Sequence, residues 1–314
     1  MSTMLKVGPA PHIRTSETVE SVMYDVIIAL IPAFAVGVYV FGVRAVITTA
    51  VAVLTCLLTE YLCCKLLKKE SSIFDGSAII TGILFSFVIP TRMPLAYIVI
   101  GCFVSIAMGK MLFGGLGQNV FNPALVGRAF VQASWPVAIT TFSYDGRTGA
   151  TVLDAMKRGL DLNTALIDGG NMYLQAFIGK IGGCTGEISS LAILIGGIYL
   201  IYKKHIDWKV PAITIGTVFV LTWAFGANPL MHIFSGGLFL GAFFMATDMP
   251  TSPHTDNGRM LFALLLGILI ACIRIKGGYP EGTAYAILIM NGVVPLIDRY
   301  IRPKKFGEVK KNGK

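Results

Sequence analysis

Charged residues are scarce in this sequence. Asp, Glu, Lys and Arg make up 14% of its 314 residues, and 54% are hydrophobic. A typical soluble domain carries roughly 25% charged residues. That shortage excludes an ordinary water-soluble globule and overrides the two domains that length alone would suggest. Metal ligands are also few. There are four histidines and six cysteines, and no Cys-x-x-Cys or Cys/His ligand spacing occurs. Cys56, Cys63, Cys64, Cys102 and Cys272 lie in apolar runs and Cys184 in a loop, so they read as small buried hydrophobes. A cleavable signal peptide is not expected, because the first twenty residues are polar and include Pro9, Pro11 and Glu17. The net charge of +9 does not point to nucleic acid. The basic residues form short clusters between apolar runs (Lys65, Lys68, Lys69; Lys203, Lys204; Lys304, Lys305), as topology determinants do.

Apolar runs are what the chain has in abundance. Those long enough to span a bilayer fall near 22–41, 44–64, 95–112, 188–202, 210–226, 259–273 and 284–301, with shorter Gly/Pro-broken ones at 77–89, 122–138 and 236–247. The expected fold is therefore an all-α polytopic membrane protein with ten transmembrane helices and both termini cytoplasmic. Lys6, Arg14, Lys65, Lys68, Lys69, Lys110, Lys203, Lys204, Lys209, Arg259 and the C-terminal tail then lie inside. Arg44, Arg92, Arg147, Lys157, Arg158, Lys180, Arg274 and Lys276 lie outside, which agrees with the positive-inside rule.

The chain also repeats itself. FDGSAIITGILFSFVIPT at 74–91 answers FSGGLFLGAFFMATDMPT at 234–251, matching Phe74 with Phe234, Gly76 with Gly236 and Pro90-Thr91 with Pro250-Thr251. Five spans per copy force the copies into opposite orientations, the inverted-repeat design of many transporters. Short broken helices in each copy place irregular backbone where only protein or a watery cavity can satisfy it. The expected division is a cytoplasmic segment 1–21, a first repeat 22–138, an outer loop 139–187, a second repeat 188–301 and a basic cytoplasmic tail 302–314.

The outer loop contains D-G-R-T-G-A-T from Asp145 to Thr151. On composition alone it reads first as a turn of small residues. Gly149 and Ala150 would let a bulky group approach closely, and a hydroxyl ending such a turn can act as a nucleophile once activated. The string resembles the flavinylation signal D-x-x-[ST]-G-A-[ST]. The chain at large resembles the family of the Rnf-complex D subunit and, more distantly, the B subunit of sodium-pumping NADH:quinone reductase. The resemblance runs through Phe74-Asp-Gly-Ser-Ala, Pro90-Thr-x-x-Pro94, Lys110-x-x-Phe-Gly-Gly115, the stretch GQNVFNPALVGRAF at 117–130 and GKIGGCTGE at 179–187.

That resemblance implies FMN joined to Thr151 through a phosphoester, installed by a flavin transferase. It implies non-covalent riboflavin near Thr81, Asn119 and Asn122, with Arg128 facing a flavin ring or phosphate, or else a carboxylate. It further implies a component of an ion-translocating (Na⁺ or H⁺) ferredoxin:NAD⁺ oxidoreductase in a prokaryotic cytoplasmic membrane. Its partners would be the A, B, C, E and G subunits of the Rnf complex, one of them a second covalent-FMN carrier. The chain departs from the quinone reductase in its shorter N-terminal region, which leaves a quinone site unsupported. It also carries Cys184 where Ser is frequent.

Read from the residues, Asn119 and Asn122 stand three apart where a Gly-rich loop enters a helix, and each amide offers both a donor and an acceptor. Asn122 reads equally as the cap of the helix opening at Pro123. Asp25, Glu60 and Asp298 are either functional intramembrane charges or hydrated interface residues. Asp248, just before Pro250, is either a Na⁺ or H⁺ ligand or a wet helix cap. An inverted repeat alone would also suit a small-solute channel or secondary transporter, but such a protein has no use for a flavinylation signal.

Overall fold

A computed structural model of the chain describes residues 18–69, 73–144, 147–149, 151–160, 171–179 and 181–302. The N-terminal segment to residue 17, Asp145, Gly146, Ala150, Lys180 and the tail from residue 303 lie outside the described residues. The first part holds helices α1 (Val19–Phe41), α2 (Val43–Leu67), α3 (Ser77–Phe87), α4 (Leu95–Ala107), α5 (Pro123–Ser134) and α6 (Pro136–Thr140). A small hairpin follows, β1 (Phe142–Tyr144) with β2 (Arg147–Gly149), then α7 (Val152–Arg158) and α8 (Met172–Ile178). The second part holds α9 (Ser190–Tyr202), α10 (Lys209–Ala224), α11 (Pro229–Phe234), α12 (Leu238–Leu240), α13 (Asp256–Lys276) and α14 (Thr283–Tyr300).

Helix starts follow from local chemistry. Thr18, Ser189 and Thr255 each cap a helix by accepting a backbone N–H three residues ahead. Asn122 does the same for α5 at 3.4 Å, with Pro123 in the first turn, where its missing N–H costs nothing. Helix α1 stops at Gly42, whose φ of 66° suits a residue without Cβ.

Helices α1, α2, α13 and the stretch Leu95–Phe113 are long and apolar enough to cross a membrane. Shorter apolar helices are α3, α9 and α10. Tyr39, Leu54, Leu66, Ile198, Val220 and Trp223 point outward unburied. In water such an apolar surface would be a liability; in a bilayer it is the solvent-facing side. Helix is present at each of the ten stretches read as apolar, but three are broken. The run at 122–138 divides at Trp135 and Pro136. Helix α3 has 11 residues. The run at 236–247 gives only α12 followed by a π-helical turn, Gly241–Met245.

Packing joins the two parts. Helix α2 lies against α3 and α4, and α10 against α13, while α1 meets α9 and α5 meets α14 across the divide. Small residues permit the closest approaches. A Cβ on Gly82 would stand 2.7 Å from the Val53 Cα, and one on Gly196 would run into the Ala29 carbonyl oxygen. The stretch 139–187 is more than a loop. Val152, Ala155, Ala176, Ile181 and Met231 bury one another in a small second core that seats α7 and α8 on α11.

The architecture is helical as expected, with one small hairpin that pairs Phe142 with Gly149 and Tyr144 with Arg147. One sequence expectation needs correction. Cys272 is exposed rather than buried, because it faces outward from α13.

Candidate functional site

Two pockets hold every site residue read from the sequence. The larger is a cleft of about 850 Å³ between α1, α3, the start of α5, the end of α9 and the turn after α12. Thr81, Lys110, Asn119, Asn122, His205 and Asp248 line it. Its mix of apolar walls with a few polar groups is typical of small-molecule sites.

Each polar group in the cleft has a defined orientation. The Thr81 hydroxyl donates to the Ser77 carbonyl at 2.9 Å, leaving oxygen lone pairs to accept from a ligand. Asn119 donates to the Phe121 carbonyl at 3.2 Å. Asn122 both caps α5 and lines the cleft, so the two readings of this residue coexist. Asp248 is half-buried and accepts from the Thr251 hydroxyl at 3.2 Å. It follows the π-helical turn, a rare geometry that recurs at functional sites. The cleft therefore assembles Thr81, Asn119, Asn122 and Asp248 from segments far apart in the chain.

The second pocket, of about 600 Å³, is lined by Thr151 together with Arg128, Gln132, Glu187, Ser235 and Glu281. Thr151 caps α7, its hydroxyl accepting from the Asp154 N–H at 3.3 Å. Arg128 does not reach the first cleft. It pairs with the Glu281 carboxylate at 2.9 Å and lies 3.8 Å from Glu187, which is the carboxylate alternative. Burial pushes the Glu187 carboxyl up, and the neighbouring Glu281 pushes it further. Burial also raises Glu281, but Arg128, the hydrogen bond from Glu187 and Arg274 outweigh it and hold Glu281 down to about 2.

Sequence reasoning misses several residues. It treats Lys110 and Arg274 as topology charges, yet both are buried. Lys110 donates to Glu60 at 2.7 Å and to the Ser77 hydroxyl, so Glu60 is an enclosed ion-pair member rather than a hydrated interface residue. Arg274 donates to the His232 and Ser235 carbonyls and to the Thr283 hydroxyl. Asn291, buried in α14, accepts from the Asn122 N–H at 3.4 Å and donates to the Thr251 carbonyl at 2.9 Å, tying the two parts together. A lone amide in an apolar run is the signal that could have found it. Asp25 pairs with Tyr199 at 2.7 Å and with His205 at 2.8 Å, and Asp298 accepts from the His254 N–H at 3.0 Å.

Comparison with known proteins identifies the family. A model of the NQR2, RnfD, RnfE family matches residues 6–307. The D subunit of the proton-translocating ferredoxin:NAD(+) oxidoreductase complex of Clostridium ljungdahlii is 45% identical over 316 residues, 96% of each chain. The D subunit of the Na(+)-translocating ferredoxin:NAD(+) oxidoreductase complex of Acetobacterium woodii is 44% identical over 320 residues, 99% of this chain and 98% of its own. The D subunit of the ion-translocating oxidoreductase complex of Shewanella amazonensis is 36% identical over 345 residues, 96% and 98% of the two chains.

The Lys110–Glu60 pair generates a stability prediction. Lys110→Met leaves a carboxylate enclosed without its cation and is expected to cost about 3–5 kcal/mol. Glu60→Leu combined with Lys110→Met should recover most of that loss, because the desolvation cost of both charges disappears. Thermal melting of the detergent-purified protein checks this. A single variant as stable as the parent would contradict the pairing.

Proposed function

The chain belongs to the NQR2, RnfD, RnfE family, and on that premise we propose that it is the membrane electron-transfer subunit of an ion-translocating ferredoxin:NAD⁺ oxidoreductase, with FMN esterified to Thr151. The observation that carries the proposal is the position of Thr151, the last residue of the D-x-x-T-G-A-T signal. Its hydroxyl lies two residues beyond a small hairpin, on the wall of the pocket that Arg128 and Glu187 also line. Gln132 and Thr140 on the same wall offer hydrogen bonds to a flavin placed there.

The larger cleft suits a second, non-covalent flavin, riboflavin. Thr81 would accept from a ring N–H, while the amides of Asn119 and Asn122 would serve its donor and acceptor edge. Bound flavin supplies the redox chemistry, and the protein fixes its position and its surroundings. Arg128 is committed to Glu281 and Glu187, so its part is to hold those carboxylates beside Thr151.

The architecture we propose is two inverted five-helix repeats, 22–138 and 188–301, with the stretch 139–187 outside and both termini cytoplasmic. Backbone conformation supports the duplication. The matched Gly76 and Gly236 have φ of 80° and 72°, and the matched Thr91 and Thr251 are both buried. Each of these threonines also gives its carbonyl to a side chain from another helix, Arg44 at 3.3 Å and Asn291 at 2.9 Å. The partners on this reading are the A, B, C, E and G subunits, one bearing a second covalent FMN, together with a flavin transferase for maturation.

Asp248 is proposed to contribute to ion coupling. It stands where a broken helix ends, and half-helix ends with unwound carbonyls coordinate cations in inverted-repeat transporters. A carboxylate adds the hard oxygen ligand and the negative charge.

Two outcomes check this reading. In-gel flavin fluorescence of the denatured protein should be lost in Thr151→Ala and partly kept in Thr151→Ser, which still offers a hydroxyl; fluorescence persisting in Thr151→Ala would refute the attachment. Asp248→Asn should keep that fluorescence while slowing ion-coupled turnover or raising the Na⁺ or H⁺ concentration needed for half-maximal rate. Parent-like turnover across a range of Na⁺ and pH would leave Asp248 a cap only.

A further inference from the structure

Flavin attachment and ion coupling, as proposed, leave one buried charged cluster without a task of its own. Arg128 on α5, Arg274 on α13, Glu187 before α9 and Glu281 before α14 gather around Gly237, at the start of the short helix α12. Both carboxyls flank this glycine: a Cβ placed on it would stand 2.7 Å from Glu281 Oε1 and 3.8 Å from Glu187 Oε1.

The two acids are treated very differently. Glu281 has donors on both oxygens, the Gly237 N–H on Oε1 and the Arg128 guanidinium on Oε2 at 2.9 Å. Arg274 adds a second positive charge nearby, although its own hydrogen bonds go to the His232 and Ser235 carbonyls and the Thr283 hydroxyl. That environment demands an ionised carboxylate. Glu187 has weaker support. It is 4% exposed, and its Oε1 has no hydrogen-bond partner and stands 3.8 Å from Arg128. Its carboxyl lies beside Cys184 and faces Glu281 across Gly237 and Arg128, and two carboxyls brought together at one site do not both ionise readily. The Ser235 hydroxyl, in a residue 1% exposed and also without a partner, lines the same pocket as Glu187 and Thr151.

We propose that Glu187 and Glu281 form a proton-binding carboxyl pair, with the exchangeable proton on Glu187 and its exit through the pocket that Thr151 lines. Two guanidiniums already serve the site, so a metal cation is repelled from it, whereas a proton needs only one oxygen. Loss of the proton turns a cluster of two cations and one anion into a neutral one, with no bond broken except O–H and the proton passing to water in the pocket. Among the described residues, the other titratable groups against the cluster include Cys184 beside Glu187, His232 beside Arg274, Tyr285 beside Arg128 and Tyr279 on the wall of the same pocket. The site stands on these residues whether or not Thr151 carries flavin.

The test uses the whole purified complex and its variants. Infrared spectra of the parent should show the carbonyl stretch of a protonated carboxylic acid that shifts in D₂O and titrates with pH, and Glu187→Gln should remove it. Glu187→Gln should also assemble and melt close to the parent, since a neutral amide replaces a neutral acid. Glu281→Gln should lose most of the assembled complex, because it strips two guanidiniums of their anion. Should Glu187→Gln fail to assemble, Glu187→Asp keeps the acid and should move both the band and its titration midpoint. A band that is unchanged in Glu187→Gln or Glu187→Asp, one that Na⁺ removes at constant pH, or a Glu281→Gln complex as stable as the parent would each overturn the proposal.

Discussion

A helix end leaves backbone groups without intrahelical partners, and at two places in this structure charged side chains serve that need. At the start of α3, Asp75 accepts from the Ser77 N–H at 2.8 Å, and Lys110 with its partner Glu60 closes over the Ser77 hydroxyl. At the start of α12, Glu281 accepts the Gly237 N–H while Arg274 takes the carbonyls of His232 and Ser235 just before it. Each of these helices thus begins beside a buried cation and a carboxylate, Glu60 fully enclosed and Glu281 half-buried. Burying such charges is costly unless they are paired and hydrogen-bonded, and here the interrupted backbone supplies part of the pairing.

Because the helices are broken, the space beside them is open. One opening becomes the cleft with Thr81, Asn119, Asn122 and Asp248, the other the pocket with Thr151 and Glu187. Helices α1 with α9 and α5 with α14 hold the parts together around them, and Asn291 bonds both sides at once. Overall likeness does not distinguish the coupling ion. A relative named for proton translocation and one named for Na⁺ translocation are 45% and 44% identical to this chain. Asp248 and the Glu187–Glu281 pair are the side chains on which our proposals place that choice.

The parts of the fold carried by local pattern are legible in the sequence. Apolar runs mark the helices, and Gly76, Gly236, Pro90 and Pro250 mark the breaks. The Asn-Pro step at Asn122 and Pro123 announces a helix start as well as a site residue. Four of the six site residues read from the sequence share one cleft, and Arg128 and Thr151 share the other pocket. What the sequence hides is partnership over long separations. Arg128 and Glu281 are 153 residues apart, and Lys110 and Glu60 are 50 apart. A charge at the end of an apolar run looks like an interface charge until its partner is known, which is why Lys110 and Arg274 pass for topology determinants. The π-helical turn after α12 gives no warning, since Gly-Ala-Phe-Phe-Met suits an ordinary helix as well.

Covalent FMN on one side of the membrane and the mouth of the Asp248 cleft on the other is the proposal on which the electron-transfer and ion-coupling readings both depend. Single cysteines at Lys157 and Met249, in a background lacking the exposed Cys272 thiol, report it directly with an impermeant thiol reagent on intact cells. Lys157 lies near Thr151 in α7, and Met249 is 58% exposed next to Asp248. Labelling at 157 from outside, with 249 reached only after the cells are opened, is the predicted result. Both positions labelled from the same side would contradict the account.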